Sequence, residues 1–503
     1  MSGGAGGDAR PDVLLVVLDC VRSDLLDQEV DRPGAMPFLH ELRPELLTFP
    51  GAVSTSSWTV PGHASLFTGL YPWDHGAHYR NGPILTREPE TIAEALLREG
   101  YATSFYSANA YVQPSTGLTR GFDQSLWGGG REFYLRFLGI DKATCPNLGG
   151  PALVWLPKVA GESQPSPLRD FAMKAFSRLP AVWDGLNRVG GHVRGTFRTA
   201  MPAIAPWIEP SLDSWLASQP SERPVFSFVN LFEAHEPYLA DAGLEVPLGR
   251  WLRYAGCSQD PVLWVQGRWE PTPEELAMVR DAYVASLRTI DRRLRSLIET
   301  FQRRRNWENT LFVLTSDHGQ AFLEEETLFH RFRVDEPIAR IPLWVRAPGA
   351  TVRGERSGEW VSLVDVPRTI AGLVGRESFG DPSSRSLLSS PAPGEDRPVY
   401  AMTDGIPSGE IPNVSAARKG FLDRLEIAVY SGATKAVAGE AGAVRSYRVA
   451  MPERGVRPTP LEEGPETRRV AELARQAHDL ASARIAAQPY HGSIERRIAG
   501  WGY

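Results

Sequence analysis

Acidic and imidazole side chains directly follow two apolar runs of this chain. Asp19 comes after residues 13–18, and Asp317 and His318 come after residues 310–316. A carboxylate at a buried sheet edge is costly unless a cation or hydrogen bonds compensate it. Carboxylate and imidazole are also good ligands for a divalent metal. The Asp-His pair by itself fits a metal site and an ordinary turn equally well.

Thr59 is the candidate nucleophile. In residues 56–72, small and polar side chains precede what is predicted to be an apolar helix start. At a helix N-terminus the unpaired amides and the dipole favour an anionic oxygen, which helps to ionise a hydroxyl and to hold a phosphoryl or sulfuryl oxygen. The alternative is that Thr59 only caps the helix. Together with Asp19, Asp317 and His318, its oxygen would complete a four-ligand metal site. This combination favours a catalytic role for Thr59 over a capping role.

Composition and charge limit the class of protein. The chain has 503 residues, of which 42% are hydrophobic and 23% charged, as in globular proteins with a large core and a smaller subdomain. The formal net charge is -6 and the pI is near 6.0. Because nucleic-acid binders usually carry a net basic face, nucleic acid is not an expected partner.

Cysteine usage and the apolar runs predict the compartment. Cys20, Cys145 and Cys257 are an odd number of cysteines without CxxC spacing, which predicts neither a disulfide framework nor a zinc-thiolate site. The run at residues 13–18 is too short for a signal sequence and lacks a basic leader. No segment reaches the ~18 to 20 apolar residues of a membrane-spanning helix. We therefore expect a cytoplasmic protein without a membrane span.

Three predicted strands deliver polar side chains at the same end. Residues 13–18, 224–231 and 310–316 are rich in β-branched and apolar side chains, and each run leads into an acid or an imidazole. Helical spacing of apolar positions predicts helices at residues 90–99 and 273–302. This alternation is typical of an open α/β sheet with a site at the carboxyl edge of its strands.

A long connection separates two of these strands. Residues 128–220 mix Trp, Phe, Pro and Arg without a strong strand, which predicts an inserted helical cap. Residues 168–179 are amphipathic, and they either line a cleft, touch a membrane or pack on the main domain.

A Ser-, Pro- and Gly-rich stretch at residues 378–398 is typical of a linker or an exposed loop. The segments after it predict a small α+β subdomain with strands and one helix, at residues 399–402, 424–430, 446–451 and 465–487. We therefore predict a catalytic domain at residues 12–390 and an α+β subdomain at residues 391–503.

The motifs resemble those of a known family. In order and spacing, the successive segments are similar to the signatures of sulfatase-like hydrolases of the alkaline phosphatase superfamily, over most of residues 12–375. The resemblance implies a mixed, mostly parallel sheet flanked by helices. The segments that carry it are residues 19–24, 56–72, 100–105, 120–123, 233–238, 315–320 and 341–349.

The departures from the family pattern concern the nucleophile. Type I sulfatases carry a Cys or Ser, matured to formylglycine, two residues before the motif proline and an Arg two residues after it. Thr59 and His63 stand at these positions, and threonine is not a substrate for that maturation. The pattern Thr-x-Pro-x-His is similar to that of nucleotide pyrophosphatase/phosphodiesterases, and phosphoethanolamine transferases and lipoteichoic acid synthases also use a threonine. The resemblance therefore implies phosphate-ester chemistry more readily than sulfate-ester chemistry.

Carried over residue by residue, the resemblance implies a metal held by Asp19, Thr59, Asp317 and His318. The ion would be zinc, manganese, calcium or magnesium. One ion is the expectation and a second is possible. The aspartate that accompanies two histidines at the second ion of phosphodiesterases is missing, and Glu233 is the only nearby substitute.

His235 and His330 match positions that bind the transferred group, protonate the leaving group or hold a second metal, although either could be a structural histidine. Asn81 resembles an asparagine that binds a non-bridging oxygen in phosphonate monoester hydrolases. Arg22 either pairs with Asp19 or is solvated, and Gln320 stands where relatives often have Glu.

These roles predict a hydrolase, or a transferase if an alcohol replaces water, that acts on small phosphate mono- or diesters or phosphonate esters through a phosphothreonine. The alternatives are a sulfate or sulfamate ester hydrolase that uses the unmodified threonine, and an inactive binding protein that retains the fold.

Overall fold

A computed structural model describes residues 10–127, 196–198, 205–236, 238, 245–247, 261–392, 395–405, 411, 413–422, 424–449 and 458–488. Its helices are α1 Ser23–Asp31, α2 Pro37–Leu42, α3 Thr59–Thr68, α4 Pro72–His75, α5 Ile92–Arg98, α6 Ile208–Ser218, α7 Pro261–Val265, α8 Pro273–Arg304, α9 Glu336–Ala339, α10 Asp365–Gly372 and α11 Pro465–Ala487. Its strands are β1 Asp12–Leu18, β2 Leu47–Thr48, β3 Ala52–Val53, β4 Ala102–Ser107, β5 Gln124–Trp127, β6 Thr196–Arg198, β7 Val225–Leu231, β8 Glu245–Pro247, β9 Thr310–Thr315, β10 Ala321–Phe322, β11 Leu328–Phe329, β12 Leu343–Arg346, β13 Gly354–Glu355, β14 Val361–Ser362, β15 Val399–Thr403, β16 Glu426–Ser431, β17 Thr434–Ala438, β18 Val444–Arg448 and β19 Thr459–Pro460.

The main sheet is mixed and mostly parallel. Its eight strands run in the order β13-β2-β12-β9-β1-β7-β4-β5. The central strand β1 is parallel to both β7 and β9, whereas β12 is antiparallel to its two neighbours. The register pairs Val17 with Asn230 on one side and with Thr315 on the other, so these strands end at the same edge. The predicted fold class is confirmed.

Side chains of β1 alternate between two cores. Leu15 and Val17 pack on the side that contains α3, and Leu14 and Val16 pack on the side that contains α8. All four are fully buried, and burial of one such side chain contributes roughly 1.5–3 kcal/mol. A strand that is covered on both faces holds the residues that follow it in place.

Two helices confirm the predictions made from apolar spacing. Helix α8, predicted at residues 273–302, begins with a capping box in which the Thr272 hydroxyl accepts from the amide of Glu275. Helix α5 also begins with a capping box, at Thr91 and Glu94.

The C-terminal segments form a second, antiparallel sheet in the order β15-β16-β17-β18-β19, on which α11 packs. Strand β17 was not predicted. Its residue Lys435 interrupts the apolar pattern, yet it is only 2% exposed because its ammonium pairs with Glu336 and donates to the carbonyl of Val334. The strand was missed because the apolar pattern used for the prediction counts lysine as a surface residue, whereas this lysine is buried in an ion pair.

Most of the predicted insertion at residues 128–220, including residues 168–179, lies outside the described residues. Within its described part, α6 is helical as expected. Among the helices of the described residues, none combines the length and the apolar character needed to cross a bilayer.

Candidate active site

The carboxyl edge of the main sheet gathers the predicted acids, imidazole and hydroxyl. Asp19 follows β1, Asp317 and His318 follow β9, and Thr59 opens α3; all four side chains are buried. The amide of Cys20 donates to Asp317 Oδ1 at 3.3 Å, which ties the two strand ends together. The structure therefore brings residues from three distant segments to one place.

Thr59 is the first residue of α3 and not its cap. The cap position is Trp58, which makes no side-chain capping hydrogen bond. The Thr59 hydroxyl lies instead 3.4 Å from Nε2 of His318. A Cβ atom at Gly62 would lie 2.9 Å from the carbonyl oxygen of Asp317, so glycine is what allows this helix end to approach the acid so closely.

The arrangement of Asp317 and His318 requires a positive charge. Nδ1 of His318 lies 2.9 Å from the carbonyl of Gly319, to which it donates its proton. The lone pair of Nε2 then faces Asp317 Oδ2 at 3.4 Å, and that oxygen has no hydrogen-bond donor among the described residues. A cation between two acceptors that face each other in a buried site compensates both of them, and His63 Nδ1, 3.4 Å from Asp317 Oδ2, acts on the same oxygen. Asp317 and His318 therefore fit a cation. One ligand atom from each of Asp19, Cys20 and His318 also lies within 4.8 Å of the others, and this group does not include Asp317.

Gly319, which follows His318, lies against the backbone of another element. A Cβ atom at this position would lie 2.1 Å from the carbonyl oxygen of Pro337. Glycine is required here because the backbone of α9 approaches so closely.

Two asparagines that the motif analysis missed hold Asp19. The side-chain amides of Asn109 and Asn230 donate to Asp19 Oδ2 at 2.7 Å and 3.3 Å. Burial, and next the negative charge of Asp317, raise the pKa of the Asp19 carboxyl above its usual range. Both asparagines lie at the carboxyl ends of strands, β4 and β7. A polar residue at the end of an apolar run, the signal that identified Asp19, could also have identified them.

His63 joins the threonine to the acids. Its Nδ1 lies 2.9 Å from the carbonyl oxygen of Thr59 and 3.4 Å from Asp317 Oδ2. Burial acts to lower the pKa of His63, but the neighbouring Asp317 carboxylate outweighs it and raises the pKa. His63 thus supports the same acid and the same helix turn, a role that its motif position did not reveal.

A second group of polar side chains adjoins the first. The rings of His318 and His330 stack with centroids 4.5 Å apart, and His235 meets His330 edge to face at 5.2 Å. Gln320 links this group, because its carbonyl oxygen lies 2.9 Å from His330 Nδ1 and its amide donates to Glu236 Oε2 at 2.8 Å. The sequence did not single out Glu236.

Arg331 adds a cation to this group. Its Nε donates to His330 Nε2 at 3.3 Å, its Nη1 donates to the hydroxyl of Tyr79 at 3.4 Å, and its guanidinium lies 5.5 Å from the centroid of the Tyr111 ring. In the described part of the chain, these contacts are with neutral groups and not with a carboxylate. Such a partly buried guanidinium is available to an anionic ligand.

Three residues discussed from the sequence have other partners. Arg22 is buried and pairs with Asp24 and Glu324, so it neither supports Asp19 nor is solvated. Glu233 forms a buried ion pair with Arg293, and it is not in the group of ligand atoms that contains His235 and His330. The side-chain amide of Asn81 donates to Gln488 Oε1, so its role in substrate binding, which remains a prediction, requires this hydrogen bond to be exchanged.

A mostly parallel α/β sheet whose carboxyl edge carries this site defines a hydrolase of the alkaline phosphatase type. The Sulfatase family model matches residues 11–376, and the chain belongs to this family.

The individual proteins that this chain resembles include a sulfatase and a phosphonate monoester hydrolase. The multifunctional alkaline phosphatase superfamily protein PehA of Trinickia caryophylli is 25% identical over 418 residues, 77% of this chain and 78% of the relative. The choline-sulfatase of Rhizobium meliloti (strain 1021) is 23% identical, over 73% of this chain and 68% of the relative. The phosphonate monoester hydrolase structure of Agrobacterium radiobacter shares the fold, with a TM-score of 0.60 at 18% identity over 94% of this chain and 96% of that chain.

Proposed function

We propose that this chain is a metal-dependent hydrolase of phosphate mono- or diesters or of phosphonate esters, and that it acts through a covalent phosphothreonine at Thr59. The observation that carries the proposal is the position of the Thr59 hydroxyl, 3.4 Å from His318 Nε2 at the N-terminus of α3. A hydroxyl in that place lies next to the positive end of a helix dipole and next to side chains that can bind a metal. Both features stabilise its deprotonated form.

The proposed reaction has two displacement steps. Asp19, Asp317 and His318, together with the Thr59 oxygen, would hold a divalent ion. When bound, this ion would supply the positive charge that lowers the pKa of the threonine hydroxyl. Thr59 loses its hydroxyl proton to solvent, and its Oγ1 forms a bond to phosphorus while the bond to the alcohol oxygen breaks. The leaving alcohol takes up a proton from His235 or His330. His235 and His330 form the side of the site that we assign to this leaving oxygen. Water then cleaves the phosphothreonine, or an acceptor alcohol does so in a transferase.

Phosphoryl transfer is favoured over sulfuryl transfer by the nucleophile itself. The position that carries formylglycine in type I sulfatases is Thr59. The relatives named above include both a phosphonate hydrolase and a sulfatase, and so the second candidate function is hydrolysis of a sulfate or sulfamate ester by the unmodified threonine.

A substrate panel distinguishes these functions. Purified full-length protein, supplied separately with zinc, manganese, calcium and magnesium, is assayed on p-nitrophenyl phosphate, bis-p-nitrophenyl phosphate, p-nitrophenyl phenylphosphonate and p-nitrophenyl sulfate. We expect kcat/KM for a phosphorus ester to exceed that for the sulfate by at least about a hundredfold. Preference for the sulfate would replace the proposal with its alternative. Absence of turnover on all four esters with every metal would favour an inactive binding protein.

Arg331 is expected to bind a non-bridging oxygen of the transferred group. Removing one such cationic donor should lower kcat/KM by roughly a hundredfold, so Arg331→Gln is compared with Arg331→Lys, which keeps the charge and should recover part of the loss. Steady-state kinetics on the preferred ester measures the effect, and thermal unfolding confirms that both variants are folded. Equal and small losses in the two variants would show that Arg331 serves packing only.

A further inference from the structure

Four side chains next to the first group of acids and imidazole place their ligand atoms close together. One ligand atom from each of Cys20, His235, Glu236 and His330 lies within 4.8 Å of the others. Cys20 Sγ and Glu236 Oε2 each lie 3.8 Å from His330 Nδ1, and His235 Nδ1 lies 3.6 Å from the same carboxylate oxygen. A tetrahedral zinc ion with ordinary bond lengths separates its ligands by roughly 3.3–3.8 Å. These distances are therefore close to those of a formed site.

The donor types narrow the choice of ion. A thiolate, two imidazoles and a carboxylate suit zinc, whereas magnesium and calcium prefer oxygen ligands alone. The backbone contributes as well, since Cys20 has a φ of 62° and is held by hydrogen bonds at its amide and its carbonyl, to Asp317 and Tyr283. This left-handed conformation is rare for a non-glycine residue and indicates that the surroundings hold it in place.

Neighbouring groups fit the same role. An ion at this position replaces three imidazole hydrogen bonds. His330 Nδ1 leaves Gln320 Oε1, and His235 Nδ1 leaves the carbonyl of Glu236. Because His330 then carries its proton on Nε2, the hydrogen bond that Arg331 Nε donates to this atom is also exchanged. Gln320 then offers its carbonyl oxygen to the ion, and its amide still holds Glu236. Such hydrogen bonds orient metal ligands in proteins.

We propose that Cys20, His235, Glu236 and His330 form a second cation site, selective for zinc, beside the site of Asp19, Asp317 and His318. Cys20 Sγ lies 3.3 Å from Asp19 Oδ1, so the sulfur borders both sites. The expectation from cysteine spacing alone, that the chain has no zinc-thiolate site, concerned CxxC pairs. Here one thiolate is joined by three ligands from two other segments, residues 235–236 and residue 330.

The role of this ion rests on the proposed function, but its binding does not. A cation at the side assigned to the leaving oxygen would stabilise the negative charge that develops there, so that His235 and His330 act as ligands and not as proton donors.

Metal content and the absorption of a cobalt derivative test the site. Full-length protein dialysed against zinc should hold about two ions per chain, and Cys20→Ser and Glu236→Gln about one. Glu233→Gln is the matched control, because this acid pairs with Arg293, and it should keep about two ions. Cobalt-substituted protein should show a thiolate-to-cobalt charge-transfer band that Cys20→Ser loses and that the double variant Cys145→Ser/Cys257→Ser retains.

The outcomes separate this proposal from that of the nucleophile. Thr59→Ala should keep both ions and the cobalt band, whatever its effect on turnover. A single ion in the unmodified protein, or no charge-transfer band, would overturn the second site. It would also be overturned if Asp317→Asn lost the band while Glu236→Gln kept it, because the sulfur would then belong to the first site.

Discussion

Thr59→Ala is expected to lose at least about a thousandfold in kcat/KM on the preferred ester, because the hydroxyl is the atom that attacks phosphorus. The residue is 2% exposed and opens α3 without capping it, so that alanine leaves the helix intact. Steady-state kinetics measures the loss, and metal analysis should show unchanged content. Retained turnover would remove the threonine from its assigned role.

Thr59→Ser provides the matched control, since it keeps the hydroxyl and deletes one methyl group. We expect it to recover most of the activity that alanine loses. Rapid acid quenching followed by mass spectrometry of the peptide that contains Thr59 should detect a phosphate on that residue during turnover. A phosphate found on a different residue would identify another nucleophile.

Asp317→Asn is expected to lose the ion of the first site and, with it, about a thousandfold or more in kcat/KM. Asparagine retains an oxygen for the amides of Cys20 and His318, which bond to Asp317 Oδ1. It removes the negative charge of Oδ2, the oxygen that faces His318 Nε2 and has no hydrogen-bond donor in the described ranges of the chain. Metal analysis, steady-state kinetics and thermal unfolding of the same preparation measure the three consequences.

Asp291→Asn is the control for removing a buried carboxylate elsewhere. Asp291 is 2% exposed and accepts the amides of Phe38 and Leu39, away from the residues assigned to either metal site. The Asp291→Asn variant should keep both the metal content and the turnover of the unmodified protein. If Asp317→Asn bound metal as tightly as the unmodified protein, the first site would have to be built from other residues.

The sequence was most informative where a pattern repeats along one element. Three elements were predicted in this way: β1, α8 and α11. Each buries its own apolar side chains, so residues close together in the sequence show the pattern. Strand β17 was missed because Lys435 is paired with Glu336, a residue almost a hundred positions away in the chain. A partner at that distance leaves no local signal.

For the site, sequence alone determined the residue types at strand ends and their order, and this was enough to indicate the family and to single out Asp19, Thr59, Asp317 and His318. Only the tertiary structure decided which polar residues face one another: it placed Asn109 and Asn230 on Asp19, paired Glu233 with Arg293, and set Cys20 and Glu236 beside two histidines. The reason is that a ligand set depends on distances and directions between atoms of separate segments, which are set by how the strands and their loops pack. The sequence shows which reactive side chains each segment contains, and the packing of the segments determines which of these side chains contact one another.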